Sequence, residues 1–368
     1  MHTLTLLLLS GGGRTGSNVM ATLATRRTGL RLVATSDRPD EPALFDFDAV
    51  YIAPRLADDA EGFERRVLDV VAREIPDLVV PCRDEDVQWL AGLGERRADL
   101  AAKLLCGPRR IAETANDKWL SYEFCREHAL PFAPTLRCDS AADGSAFVEQ
   151  QGLPLVAKPR RGVNSAGVVL LTTREQVARA MTRHDYVLQK YLGDPDSVYA
   201  YLNAVNLEGI PLFHSFQDAY SSLQVLLGPD HRIEYVNCIR NRITGRLTRS
   251  KTIDHDAEPR EIGERCARAF AAAGWRGPLN IECKPAADGT LMIHEFNARV
   301  TGGTAARWEM GYDEIGAAIR AFTGQSIGGA LPHLEPSSEA FENFSARAAD
   351  GRNVRTLAQR GEWSRERR

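Results

Sequence analysis

Asn280-Ile-Glu-Cys-Lys-Pro-Ala-Ala-Asp-Gly-Thr-Leu-Met-Ile-His-Glu-Phe-Asn-Ala-Arg-Val-Thr-Gly-Gly303 is the stretch that decides how this chain is read. It has the pattern of a β-hairpin turning at Asp288-Gly289, with apolar runs on both sides. Side chains alternate between the faces of a strand. Glu295 and Asn297, two residues apart, therefore share a face, and Glu282 points from the paired strand. Glu282 and Glu295 interrupt otherwise apolar strands, where an unpaired carboxylate is expensive to bury. Three oxygen-bearing side chains without His or Cys suit a hard cation such as Mg²⁺. Arg299 continues the face of Glu295 and Asn297, so a cation-binding edge lies beside a fixed positive charge.

Working outward, residues 1 to about 112 alternate strand and helix signals. Strands are expected at Leu4–Leu9, Leu30–Thr35, Ala49–Ile52 and Asp77–Pro81, with helices at Asn18–Arg27 and Glu61–Glu74. Such alternation implies βαβ units and a parallel sheet, an α/β architecture. An amphipathic helix over 117–129 is stopped by Pro131 and Pro134. Strand signals then dominate at Leu155–Lys158, Gly167–Leu171, Tyr186–Gln189, Val198–Asn206, Pro211–Phe216 and Glu234–Ile239. A helix over Pro259–Ala273 leads into the opening hairpin. The expected division is 1–112, 113–328 with a lid over about 150–192, and a Pro-, Ser- and Arg-rich tail at 329–368.

Several other segments carry chemistry. Gly11-Gly-Gly-Arg-Thr-Gly16 follows a strand and matches G-x-G-x-x-G, with Asp37 ending a second strand. That is a dinucleotide fingerprint, or equally a tight turn that needs glycine for geometry alone. Lys158 ends a strand and precedes the glycine-bounded loop containing Gly162, Ser165 and Gly167, which resembles a nucleotide lid or equally an ordinary exposed hairpin, and is not a Walker A loop. Lys118 opens a helix, where it opposes the helix dipole, and this favours a ligand-directed role. Gln189-Lys190-Tyr191-Leu192 leaves a strand and enters a turn containing Asp194 and Asp196. Arg240, Arg242 and Lys251 flank a turn at Gly245, either facing an anion or forming a solvated charged face.

These segments, taken in order, resemble the ATP-grasp superfamily, in the branch similar to the carbamoyl-phosphate synthase large subunit and biotin carboxylase. The resemblance spans about residues 3–325. Its marks are Asp77–Glu85, Asn116-Asp-Lys118, Pro154–Lys158, Gln189–Leu192, Ile239–Arg242 with Ser250-Lys251, Gly277–Glu282 and His294–Arg299 with Thr301–Gly303. It implies a parallel α/β pre-ATP-grasp domain followed by a two-lobed ATP-grasp domain with antiparallel sheets. ATP phosphates would lie on Lys118 and Lys158 under the 161–167 lid. Gln189, Lys190, Tyr191 and Leu192 would hold adenine, and Asp196 (or Asp194) the ribose. Glu282, Glu295 and Asn297 would hold two Mg²⁺ ions, with Mn²⁺ an alternative. Arg299, with Lys251 and Arg242, would serve catalysis. The implied reaction activates a carboxylate as an acyl phosphate, which an amine attacks to form an amide, releasing ADP and phosphate. Lys190 departs from the Glu that many relatives carry there. The chain also lacks the long C-terminal region of biotin carboxylase.

The bulk numbers are consistent with this. The 368 residues, 43% hydrophobic and 26% charged, allow two or three domains. A net charge of −3 gives no support to nucleic-acid binding. Seven dispersed cysteines, with no Cys-x-x-Cys pair, fit reduced thiols in a cytoplasmic protein. The first ten residues read as a buried strand rather than a signal peptide, and no stretch approaches the length of a membrane span. Small-molecule carboxylate and amine substrates are the expected partners, with a homodimer by analogy alone. Competing readings are an NAD(P)-dependent oxidoreductase using the Gly11–Gly16 turn and a non-catalytic nucleotide-binding protein. Candidate substrate-contacting segments are Gly11–Ser17, residues 215–225 and Gly302–Trp308, which the sequence leaves unranked.

Overall fold

The computed structural model describes residues 3–139, 141–162, 165–208, 219–244, 248–329, 331–332, 339–342 and 348–365. Strands β1 (Leu4–Leu9), β2 (Leu30–Ser36), β3 (Ala49–Ile52) and β4 (Leu78–Pro81) form a parallel sheet in the order β3-β2-β1-β4. All six residues of β1 are buried, which is why its leucine run shows no alternation. The crossover helix expected at Asn18–Arg27 spans Arg14–Leu23 instead. It begins directly off the glycine turn, and Gly16 lies inside its first turn. A Cβ on Gly16 would fall 1.9 Å from the carbonyl oxygen of Gly11, whereas one on Gly13 would meet nothing within 4 Å. The turn therefore needs glycine at position 16 for packing. Gly16→Ala should lower stability by about 2–3 kcal/mol, because the clashing atom is backbone and cannot rotate away. Gly13→Ala is the control. Equal thermal midpoints for the two variants would refute this account.

Strands β5 (Thr135–Arg137), β6 (Leu155–Pro159), β7 (Val169–Leu171) and β8 (Tyr186–Lys190) form an antiparallel sheet, order β5-β8-β6-β7. The stretch expected to be a strand at Val198–Asn206 is helical, within Pro195–Glu208. Its Val and Tyr content suggests a strand, but Pro195, Asp196 and Ser197 form a helix start, and fully buried Val198 anchors one face. The strand expected at Pro211–Phe216 lies outside the described residues, as does the turn at Gly245.

The largest sheet is antiparallel. It comprises β9 (Ala219–Leu227), β10 (Ile233–Thr244), β11 (Thr248–Ile253), β12 (Gly277–Pro285), β13 (Leu291–Asn297) and β14 (Ala340–Glu342), in the order β13-β12-β9-β10-β11-β14. The tail supplies β14 here, and β15 (Glu362–Ser364) returns to pair with β3 at the edge of the first sheet. One apolar cluster runs from Leu7 and Val79 of the parallel sheet through Ile111 and Phe270 to Ile281 and Phe296 of the large one. Trp275, with no exposed surface, sits in that cluster. This shared core packs the helix Asp84–Arg96 together with β13. Among the described residues, no helix is long and apolar enough to cross a membrane.

Candidate active site

Register makes the opening hairpin into a site. Glu282 pairs directly with Glu295, and Asn280 with Asn297, so both carboxylates occupy one face of the sheet. The register shifts just beyond Glu282, which pairs Cys283 with Ile293 and leaves His294 as the extra residue of a bulge. Glu282 accepts a hydrogen bond from Ser222 Oγ at 3.2 Å. Enclosure by protein, and then the facing Glu295, push its carboxyl up to about 7. Two facing carboxylates repel unless a cation lies between them, so the pair suits a divalent ion. Among the described residues, no cluster of three or more His, Cys, Asp or Glu side chains is placed to hold a metal. The set is two carboxylates and an amide, and it leaves coordination positions for phosphate oxygens and water, as Mg²⁺ sites commonly do.

Cations converge on the same face. Asp117 caps the helix Lys118–Glu127 by accepting from Trp119 and Leu120 backbone N–H groups, and it also takes Arg160 at 2.7 Å. This fixes buried Lys118, whose Nζ lies 3.1 Å from Glu295. Lys158 of β6 is buried, and burial, then nearby Lys118 and Lys284, push its ammonium down to about 7 against the opposing pull of Glu295. Lys284, two residues beyond Glu282 on the same face, is pushed down by burial to about 8. The sequence reading missed Lys284 although its period-2 spacing from Glu282 was visible. It also missed His294, whose Nε2 is buried without a partner among the described residues, because a bulge cannot be seen in a sequence.

The segment Gln189–Leu192 lies at the far end of the hairpin. Buried Leu192 packs with Ala286 and Ala133, so Gln189–Leu192 stands against the turn of β12–β13. Gln189 itself turns inward and donates to Thr135 Oγ1, and its strand β8 is interior to the sheet, so Lys190 and Tyr191 present half-buried side chains there. Asp194 and Asp196 are exposed at the start of the helix Pro195–Glu208. Gly162, Ser165 and Gly167 are exposed. Ser165 and Gly167 have φ of 58° and 75°, and a Cβ on Gly167 would fall 2.7 Å from Tyr186 Oη. Residues 163 and 164 of this loop lie outside the described residues.

Arg299 is mostly enclosed. Its guanidinium donates to Asp84 at 2.8 Å and to Asn297 Oδ1 at 3.1 Å, tying the hairpin to the helix Asp84–Arg96. Lys251 is buried on the same face as Glu282 and donates to Asn241 at 2.7 Å. Arg242 does not join it. Asn241, not Arg242, pairs with Lys251, so alternation sends Arg242 to the opposite, exposed face. Arg240 shares that opposite face and binds Asp254 and Asp256. The catalytic expectation for Arg242 is therefore corrected. All seven cysteines are free and buried, and burial pushes Cys106 and Cys238 up to about 12, so neither is a nucleophile at neutral pH.

No family model matches the chain. A phosphoribosylamine–glycine ligase of Caulobacter vibrioides is 30% identical over 175 residues, covering 47% of this chain and 38% of that protein. A D-alanine–D-alanine ligase of Chromohalobacter salexigens is 23% identical over 191 residues, covering 49% and 54%. The chain thus spans about half or less of these curated relatives. Among solved structures, N5-carboxyaminoimidazole synthetase from Staphylococcus aureus superposes with a TM-score of 0.65 at 15% identity, over 98% of this chain and 86% of that one. A second structure of that enzyme is complexed with ADP. The chain has the ATP-grasp fold, a mixed α/β architecture with one mostly parallel and two antiparallel sheets. Both curated relatives are ligases, and the oxidoreductase reading gains no support from them. Asp37, the acid of the dinucleotide fingerprint, is ion-paired with Arg83 at 2.7 Å.

Proposed function

We propose that this chain is an ATP-dependent carboxylate–amine ligase. The observation that carries this is the directly opposed Glu282–Glu295 pair, with Lys118 bound to Glu295 and Lys158 and Lys284 beside it. In this reading Lys118 and Lys158 hold phosphate oxygens, and the 161–167 loop covers them. Gln189–Leu192 takes the adenine edge, with Asp196 or Asp194 on the ribose. Glu282, Glu295 and Asn297 would hold Mg²⁺, one ion or two, which when bound would supply positive charge beside the phosphoryl group. The substrate carboxylate oxygen attacks the γ-phosphorus, the bond to ADP breaks, and the carboxyl carbon gains a leaving group. The amine then adds to that carbon, phosphate departs, and the amine loses a proton. Arg299 stabilises negative oxygen on both species.

A phosphate-release screen of small amino acids and carboxylates with MgATP tests the reading. Release that depends on a carboxylate and rises on adding an amine supports it. MgATP binding without release across the whole matrix would sink it.

A pH dependence also follows. Lys158 is largely neutral at pH 8 in the free protein, whereas triphosphate favours the ammonium form. Binding should therefore take up protons at pH 8, with Lys284 contributing, and uptake should fade below pH 7, where Lys158 is already charged. Glu282 is already ionised at pH 8 and does not mask the effect. Calorimetry in buffers of different ionisation enthalpy measures this, and proton release at pH 8 would contradict it.

A further inference from the structure

The segments that the sequence leaves unranked as substrate contacts meet in one cleft of about 120 Å³. Arg14, Ser222, Gly302 and Arg307 line it, together with Lys251 and Glu282. Its wall contains a chain of hydrogen bonds that ends on Glu282. Strand register sets the chain up. Ser222 of β9 pairs with Glu282 of β12, on the side opposite Glu295 of β13. Glu282 is therefore flanked by a hydroxyl on one strand and a carboxylate on the other. Asn280, two residues before Glu282, shares its face.

A serine hydroxyl has one proton and two acceptor lone pairs, and at Ser222 both lone pairs are taken. Asn280 Nδ2 donates to Ser222 Oγ at 2.8 Å, and Arg307 Nη2 donates to it at 3.3 Å. Neither donor can reverse its role. A guanidinium has no acceptor. Asn280 Nδ2 also donates to the carbonyl oxygen of Leu223 at 3.4 Å, so the amide nitrogen, and not its oxygen, faces Ser222. The Ser222 proton is left with one acceptor among the described residues, Glu282 Oε1 at 3.2 Å.

The two donors are themselves held. Asn280 has no exposed surface, and Arg307 is 1% exposed. Arg307 lies 3.5 Å from buried Glu314, and its Nη1 donates to Thr301 Oγ1 at 3.0 Å. A solvated serine turns its hydroxyl among water partners, whereas here the fold leaves it one direction. Glu282 Oε2 takes no hydrogen bond from the described residues, so it stays available to a cation.

We infer that Ser222 is a positioning residue for the divalent ion: oriented by Asn280 and Arg307, its hydroxyl fixes the Glu282 carboxylate that would hold the ion. The inference rests on the reading that places Mg²⁺ on Glu282, Glu295 and Asn297, and adds the layer of residues behind that set. Groups that orient a metal ligand in this way commonly govern affinity without touching the metal.

Mn²⁺ binding to the full chain, with ADP present, tests this without requiring turnover. Electron paramagnetic resonance reads the free ion, and a protein-free titration accounts for the Mn²⁺–ADP complex. Ser222→Ala should weaken Mn²⁺ binding by roughly 10–100-fold, the usual effect of removing an orienting group. Ser222→Thr keeps the hydroxyl on a β-branched residue suited to a strand, and should stay within about threefold of wild type. Ser221→Ala is the control. Ser221 is the preceding residue of β9, faces the other side of the sheet and donates to Asp254 at 3.3 Å, so its loss should leave Mn²⁺ affinity unchanged. Circular dichroism checks that each variant folds. If wild type binds Mn²⁺ and Ser222→Ala stays within about threefold of it, or Ser222→Thr loses as much as Ser222→Ala, the inference alone is overturned. A wild-type chain that binds no Mn²⁺ would remove the ion reading itself, and the inference with it.

Discussion

Glu295→Ala should lower MgATP-dependent phosphate release by roughly a thousandfold or more. Removing a single well-placed electrostatic group from an active site commonly costs 10²–10³ in rate, and Glu295 has two tasks. It faces Glu282 across the hairpin, and it balances Lys118 at 3.1 Å. Its charge also opposes the desolvation that pushes Lys158 down. The variant therefore loses half of the carboxylate pair, leaves a buried ammonium unpaired, and drives a second lysine further toward its neutral form. Glu295→Gln, which keeps the shape but not the charge, should share most of the kinetic loss. Both should fold, as read by circular dichroism. A kcat/KM for MgATP within tenfold of wild type would remove the central support of the proposed chemistry.

Arg299→Ala is expected to have two separable effects. From the sequence alone it should impair ligation while sparing nucleotide binding. The structure adds that Arg299 is one of the ties between the hairpin and the helix Asp84–Arg96, through Asp84 at 2.8 Å with both side chains about 15% exposed. Removing one partner of so enclosed a pair leaves the other charge uncompensated, at a cost of about 3 kcal/mol. The thermal midpoint should fall by several degrees. MgATP affinity should stay within a few-fold, and capture of the acyl phosphate by hydroxylamine should fall by at least roughly a hundredfold. Arg299→Lys should recover part of the stability and little of the activity, since an ammonium cannot reproduce the planar fork. Asp84→Asn provides the comparison: it should lose stability in the same way and much less activity. Complete loss of nucleotide binding in Arg299→Ala, with no separate defect in ligation, would refute the assigned role.

Legibility differed between parts of the site for definite physical reasons. Side-chain alternation along a strand depends only on local backbone geometry, so the shared face of Glu295 and Asn297 could be read directly. Lys284 was open to the same argument from Glu282. Asp117 before Lys118 is a local cap, and the helix it starts was readable within a residue or two. The strand expected at Val198–Asn206 failed because β-branched and aromatic content outweighed a proline-led helix start. Arg242 failed because its face relative to Lys251 depends on how two strands pair.

The sequence by itself determined the parallel α/β start, the carboxylate hairpin, the lysines and the order of segments that resembles the ATP-grasp superfamily. The α/β start, the hairpin and the lysines rest on periodicity, capping and spacing within short windows, and the order of segments rests on the resemblance. Only the tertiary structure decided that Glu282 opposes Glu295 and that a bulge sets His294 apart. It alone joined Arg299 to Asp84, 215 residues away, and brought Glu342 from the tail onto Arg14 and Lys251. Those contacts arise from strand register and from the packing of distant elements around a shared core. Neither leaves a periodic trace in the chain.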